Sequence, residues 1–146
     1  MSNFNVYRDL MDVNCASRKI RSTRKILLYG KCVRDEYPEI FNSFSSNRTV
    51  LAVCPEKTHF NMICLKLASI LARVRLEELI VLTVDGSPHC IQLHHIVEEA
   101  RKITGVKNVL FKHYVVENGR AIEINDKEIK IARYLSKIKR LLEAHE

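Results

Sequence analysis

Leu79-Ile80-Val81-Leu82-Thr83-Val84 runs without a charge into Asp85-Gly86-Ser87-Pro88-His89-Cys90, and the reading of this passage decides the fold. A continuous apolar run rich in β-branched residues fits a strand covered on both faces, whereas a half-exposed strand would alternate. Asp85-Gly86 stops the run. Ser87 suits a helix N-cap, Pro88 suits the first helical position, where its missing N–H is no loss, and Leu93, Val97, Ala100 and Thr104 repeat at the helical period up to Gly105.

Upstream, Val50-Leu51-Ala52-Val53 is a second such run, stopped by Cys54-Pro55. Thr58 is placed to cap a following helix that reaches about Val74. Met62, Ile63, Leu65, Leu67, Ala68, Ile70 and Leu71 lie nearly all round that helix, which predicts heavy packing against a sheet or a partner. Two buried strands separated by a helix make a βαβ unit with parallel strands.

Downstream, Val109 to Val116 reads as another strand, Asn118-Gly119 as a two-residue hairpin turn, and Ala121-Ile122-Glu123-Ile124 as the antiparallel return. A last helix starts at Asn125 or Asp126, with Glu128 completing a capping box and Ile129, Ala132, Leu135, Ile138 and Leu142 forming its buried stripe. The expected fold is a single three-layer α/β domain over residues 1–146. Its sheet is mostly parallel and is followed by a C-terminal β-hairpin and an amphipathic helix.

Residues 1–45 form a less regular, basic segment of that domain. A helix over residues 5–22 uses Leu10, Val13 and Ile20 but is weakened by Asn14, Ser17 and Ser22. Ile26-Leu27-Leu28-Tyr29 reads equally as a buried strand or as the last turn of a helix capped by Gly30. Tyr37 to Phe41, with Pro38 near its start, predicts a short helix, and Ser43 to Asn47 a polar break.

A chain of 146 residues, 47% apolar and 28% charged, is long enough to bury a full core without disulfides or a structural metal. No apolar run approaches the ~20 residues that span a bilayer, and Met1-Ser2-Asn3-Phe4-Asn5 lacks the pattern of a secretory signal, so a cytoplasmic location is expected. Five cysteines without close pairing read as reduced thiols. The net charge of +7 favours anionic partners. Much of the excess lies in Arg18, Lys19, Arg21, Arg24, Lys25, Lys31 and Arg34 and in the C-terminal segment.

Chemistry is suggested where cysteines follow strands. Cys32, Cys54 and Cys90 each stand just after an apolar run, and ligands of open α/β sheets collect outside the carboxyl ends of the strands. Cys90 falls at the third helical position, where unpaired N–H groups and the helix dipole favour a thiolate. His89 is a neighbouring base or cation, and His94, one turn on, is a second catalytic candidate. Asp85 and Ser87 are candidate ligand-binding residues, with Ser87 marking a helix start able to take an anion. Cys32, Cys54 and Cys90, together with His59, are the candidate metal ligands for an iron–sulfur cluster or zinc.

These residues lead to a cysteine-dependent metal-binding or redox protein with its site centred on Cys90. The alternatives are a basic module that binds nucleic acid or an acidic partner, and a noncatalytic subunit of a larger complex. Four glycines, at 30, 86, 105 and 119, exclude a phosphate-cradling G-x-x-x-x-G-K-[ST] loop and a G-x-G-x-x-G dinucleotide turn. There is no G-x-S-x-G elbow and no H-E-x-x-H helix.

Overall fold

The computed structural model describes residues 7–145. Residues 1–5, read above for a signal, and the first two residues of the helix expected over 5–22 lie outside them. In chain order the elements are β1 (Arg8–Asp9), a 3-10 turn (Leu10–Asp12), α1 (Arg18–Thr23), β2 (Lys25–Gly30), α2 (Lys31–Glu36), α3 (Pro38–Ser45), β3 (Thr49–Val53) and α4 (Phe60–Arg73). They continue with β4 (Glu78–Val84), α5 (Pro88–Thr104), β5 (Leu110–Glu117), β6 (Arg120–Ile124), α6 (Asp126–Ile131) and α7 (Leu135–Glu143).

Among the described residues the sheet has the order β1-β3-β2-β4-β5-β6, parallel except for the final β5–β6 hairpin. The expected α/β fold with its C-terminal hairpin is therefore present. On one face Ile26, Leu28, Leu51, Val53, Leu79 and Val81 pack with residues of α1, α4 and α5. On the other, Leu27, Tyr29, Val50, Ala52, Ile80 and Leu82 pack with Val33 of α2 and Phe41 of α3. Helices on both faces make three layers, which is why the middles of the central strands are apolar on both faces. Asn118 and Gly119 both have positive φ, 51° and 75°, as the tight hairpin turn requires.

The N-terminal segment departs from expectation. Ile26 to Tyr29 is a strand, and it supplies β2, which lies between β3 and β4 in the sheet. The helix expected over 5–22 is replaced by β1, the 3-10 turn and a short α1. Leu10, Val13 and Ile20 are buried as expected, but polar side chains bind the local backbone instead of allowing one helix. Asp9 accepts the Met11 N–H, Asn14 the Ala16 N–H and Ser17 the Ile20 N–H. The break expected from Ser43 begins only after Ser45, where α3 ends.

Three other local expectations are corrected. His59, rather than Thr58, caps α4 through its Nδ1. That helix buries one side only, through Ile63, Cys64, Leu67, Ala68, Ile70 and Leu71, and leaves Met62 and Leu65 exposed. The last helix has the expected Asn125–Glu128 capping box, but it divides into α6 and α7. Of its predicted stripe only Ile129 is buried, while Leu135 and Leu142 face outward. No helix among the described residues is long and apolar enough to cross a membrane.

Candidate functional site

The connection from β2 to β3 runs over one face through α2 and α3, and the connection from β3 back across to β4 runs over the other through α4. The winding thus reverses between β2 and β4. In open α/β sheets helices diverge at such a point, which is where a crevice forms outside the carboxyl ends of the two strands.

The three cysteines follow three neighbouring parallel strands. Cys54 comes directly after β3, Cys32 opens α2 after β2, and Cys90 opens α5 after β4. Gly30 closes β2 with an ordinary φ of −77°, and its lack of a side chain serves close approach: a Cβ there would meet the Cys90 Sγ at 3.3 Å. Cys32 is exposed, Cys54 half-buried and Cys90 buried. Loss of water around its sulfur pushes the Cys32 thiol up, and negative charge on Cys90, Glu36, Asp35 and Cys54 pushes it the same way. Cys64 and Cys15 belong to the packing around α4.

The remaining candidates are placed differently. His89, half-buried in the first turn of α5, has its Nδ1 4.0 Å from the Glu56 carboxylate. His59 is exposed and spends its Nδ1 on the α4 cap, which removes that nitrogen from ligation. Among the described residues no three His, Cys, Asp or Glu side chains are arranged to hold a metal ion. Ser87 accepts the Cys90 N–H at 3.3 Å, while the Asp85 N–H donates to Val116 and ties the end of β4 to β5. Cys90 is no more open than Cys64, each being 6% exposed, so helix-start position does not make it the accessible thiol.

His94 turns away from Cys90 into the layer between α5 and the sheet. Its Nε2 lies 2.7 Å from the Thr83 hydroxyl and its Nδ1 2.9 Å from the Nδ1 of His113, whose Nε2 is 2.8 Å from Glu98. Thr83, His94 and His113 are buried. Burial pushes His94 down to about 3, helped by His113 and His95, so its ring is neutral. The hydrogen bond from His113 holds Glu98 below the usual carboxylate range despite partial burial, with Arg101 and Lys102 adding to it.

Thr83, His94, His113 and Glu98 thus form one continuous hydrogen-bonded chain in which each ring engages both of its nitrogens. His113 and Glu98 were not singled out in the sequence. The available signals were a histidine at an inward position between Phe111 and Val115, and the i, i+4 spacing of His94 and Glu98.

Beside Thr83 and His94 lies a pocket of about 360 Å³, walled by Val84, Ile91, Val115, Ile124 and Ile129. Its charged lining residues are Asp85 and Glu128, both acidic, which disfavours the anion expected near Ser87.

A model of the Rossmann-like domain matches residues 20–146. No curated protein and no solved structure matches the chain. A dinucleotide needs open backbone at the first strand-to-helix turn, where its pyrophosphate approaches glycines. Here that turn is Gly30-Lys31-Cys32, and Cys90 Sγ fills the space beside its one glycine, so the residues do not fit such a cofactor. The winding reversal between β2 and β4, the helices on both faces and the match over residues 20–146 agree: the chain belongs to the Rossmann-like domain family.

Proposed function

We propose that the protein carries out thiol–disulfide chemistry in the crevice between β2 and β4, with Cys32 as the outer thiol and Cys90 as its resolving partner. The observation that carries this reading is the placement of Cys32, Cys54 and Cys90 after three neighbouring parallel strands, with Cys32 exposed and Cys90 seated directly against Gly30 at the end of β2. The Cys32 thiolate attacks a small disulfide, forming a mixed disulfide and expelling one thiolate. Cys90 then gives up its proton and attacks the Cys32 sulfur, closing the internal disulfide and releasing the second thiol.

Titration with glutathione disulfide, followed by peptide mapping, tests the reading. A Cys32–Cys90 disulfide is expected, with Cys64 still free and no oxidation beyond external adducts in Cys32→Ser. A Cys32–glutathione adduct that never resolves would overturn it. The metal reading of the same thiols, as zinc or an iron–sulfur cluster, lacks a closed ligand set. Metal and sulfide analysis of anaerobically purified protein distinguishes it, since stoichiometric metal that protects Cys32 from alkylation would replace the redox reading.

A second reading, the basic binding module, draws support from the amino ends of β2, β4 and β5. A groove of about 570 Å³ lies there between the end of α4 and the α5–β5 loop, and Arg24, Arg73, Arg75 and Lys107 line it. Arg24 is partly engaged by Glu77 at 3.5 Å, leaving the others to meet an anionic polymer. Three phosphate contacts with a single-stranded oligonucleotide give a log–log salt slope of about −2. Fluorescence anisotropy of a labelled oligonucleotide at several salt concentrations measures it. A salt-independent signal, or one unchanged in Arg73→Ala/Arg75→Ala/Lys107→Ala, would reject this reading.

A further inference from the structure

No residue of α7 is buried, although Leu135, Ile138, Leu141 and Leu142 make up nearly half of the helix. Leu135 is 79% exposed, Leu142 64% and Leu141 51%, while Ile138 is half-buried. At about 100° per residue these four share an arc of about 120°, and Lys137 and Lys139 stand about 40° beyond its two edges. Ser136, Arg140 and Glu143 fill the opposite side. Tyr134 precedes the helix without capping it by a side-chain hydrogen bond. A helix this short is marginal in water unless its apolar face is covered, and the rest of the described chain does not cover it.

We propose that α7 is a membrane-surface anchor, whose apolar stripe settles into an anionic lipid bilayer at the level of the headgroups. Nine residues at about 1.5 Å each reach about 14 Å, less than half of a hydrocarbon core, so the helix lies along the interface instead of crossing it. Charge selects the lipid. Between residues 126 and 143 six Lys and Arg stand against three carboxylates, one of which, Glu143, is paired with Lys139. With the stripe facing the bilayer, Lys137 and Lys139 flank it on both sides. Their stems then lie along the apolar boundary and their ammonium groups reach the phosphates. The half-exposed Tyr134 ring, 4.6 Å from the Lys137 ammonium, adds an aromatic group of the kind that favours such a boundary.

The same charges argue against other covers. Pairing the stripes of two copies sets Lys137 and Lys139 of each helix along a seam of like charge. A protein groove needs carboxylates on both rims, whereas an anionic bilayer presents negative charge all round the helix.

Vesicle sedimentation of the full chain tests the proposal, with phosphatidylcholine alone against equal parts of phosphatidylcholine and phosphatidylserine. Binding to the mixed vesicles is expected to be about tenfold stronger or more, to weaken with salt, and to resist free phosphoserine. Leu135→Ser/Leu142→Ser should weaken it about tenfold or more without altering the fold, because both side chains are exposed. Lys137→Gln/Lys139→Gln should cut the preference for the mixed vesicles about fivefold or more. The chain has no tryptophan, so Leu142→Trp and Ser136→Trp are unique fluorescent reporters of the two sides of α7. Emission should move to the blue on mixed vesicles for Leu142→Trp and stay unchanged for Ser136→Trp. No binding, equal binding to both vesicle types, or release by phosphoserine would overturn the proposal. So would binding that Leu135→Ser/Leu142→Ser leaves intact, as expected if the groove of Arg73, Arg75 and Lys107 alone held the lipid, or equal blue shifts of both reporters. A dimer in analytical ultracentrifugation that the same double variant breaks would also overturn it, since a second copy would then cover the stripe.

Discussion

Leu28→Ala is expected to destabilise the fold by about 3–5 kcal/mol, the range for a leucine truncated in a core that cannot close around the void. Leu28 is fully buried in β2, registered against Leu51 of β3 on one side and Val81 of β4 on the other. All three point toward the layer of α4 and α5, so the lost side chain has rigid neighbours in the sheet and helices above it. Urea denaturation followed by circular dichroism measures the change as a lower midpoint at constant slope. Leu142→Ala on α7 is the control. Its side chain is exposed, and a change within about 0.5 kcal/mol is expected. A loss below about 1 kcal/mol for Leu28→Ala would contradict the placement of β2 within the core of the sheet.

Acid should weaken the fold well before the carboxylates as a group are protonated. His94 has an ordinary value of 6.5 when unfolded and is pushed down to about 3 in the folded protein, by burial first and then by His113 and His95. Above pH 6.5 the ring is neutral in both states, so folding is favoured in full. As pH falls from 6.5 toward 3, the unfolded chain takes up a proton that the folded chain refuses, and stability drops. Below about pH 3 both states are protonated and the loss is complete. The span corresponds to something on the order of 3–5 kcal/mol. Glu98, held low by its hydrogen bond from His113, adds a loss of the same sign at lower pH.

The groups facing His94 are Thr83 from β4, His113 from β5 and His95 on its own helix. His94→Phe removes the titrating ring and leaves its two former partners unsatisfied. The variant should start less stable at pH 7 and lose less on the way to pH 4, which denaturant titrations across that range will show. Parallel pH profiles for the parent and His94→Phe would sink the argument.

Much of the fold was legible because its elements are locally consistent. β3 and β4 are unbroken apolar runs of strand length, Ser87-Pro88 and Gly105 bracket α5, Asn118-Gly119 forms the hairpin turn, and Asn125 with Glu128 starts α6. Each signal involves residues a few positions apart, and the backbone hydrogen bonds they direct are equally short in range. The placement of Cys32, Cys54 and Cys90 after strands was legible for the same reason, once strands were recognised.

The sequence alone determined an α/β domain with parallel strands, a terminal hairpin, capped helices and cysteines following three of its strands. Only tertiary structure decided which strands became neighbours, because lateral order in a sheet depends on the packing of helices over its faces and leaves no mark on local periodicity. That order made β2, whose sequence reads equally as strand or helix, the neighbour of both β3 and β4, and it seated Cys90 against Gly30. Tertiary structure also turned His94 away from the thiols and toward Thr83 and His113. A histidine's partners are set by whichever polar groups share its buried layer, and His113 reaches that layer from a strand nineteen residues along the chain.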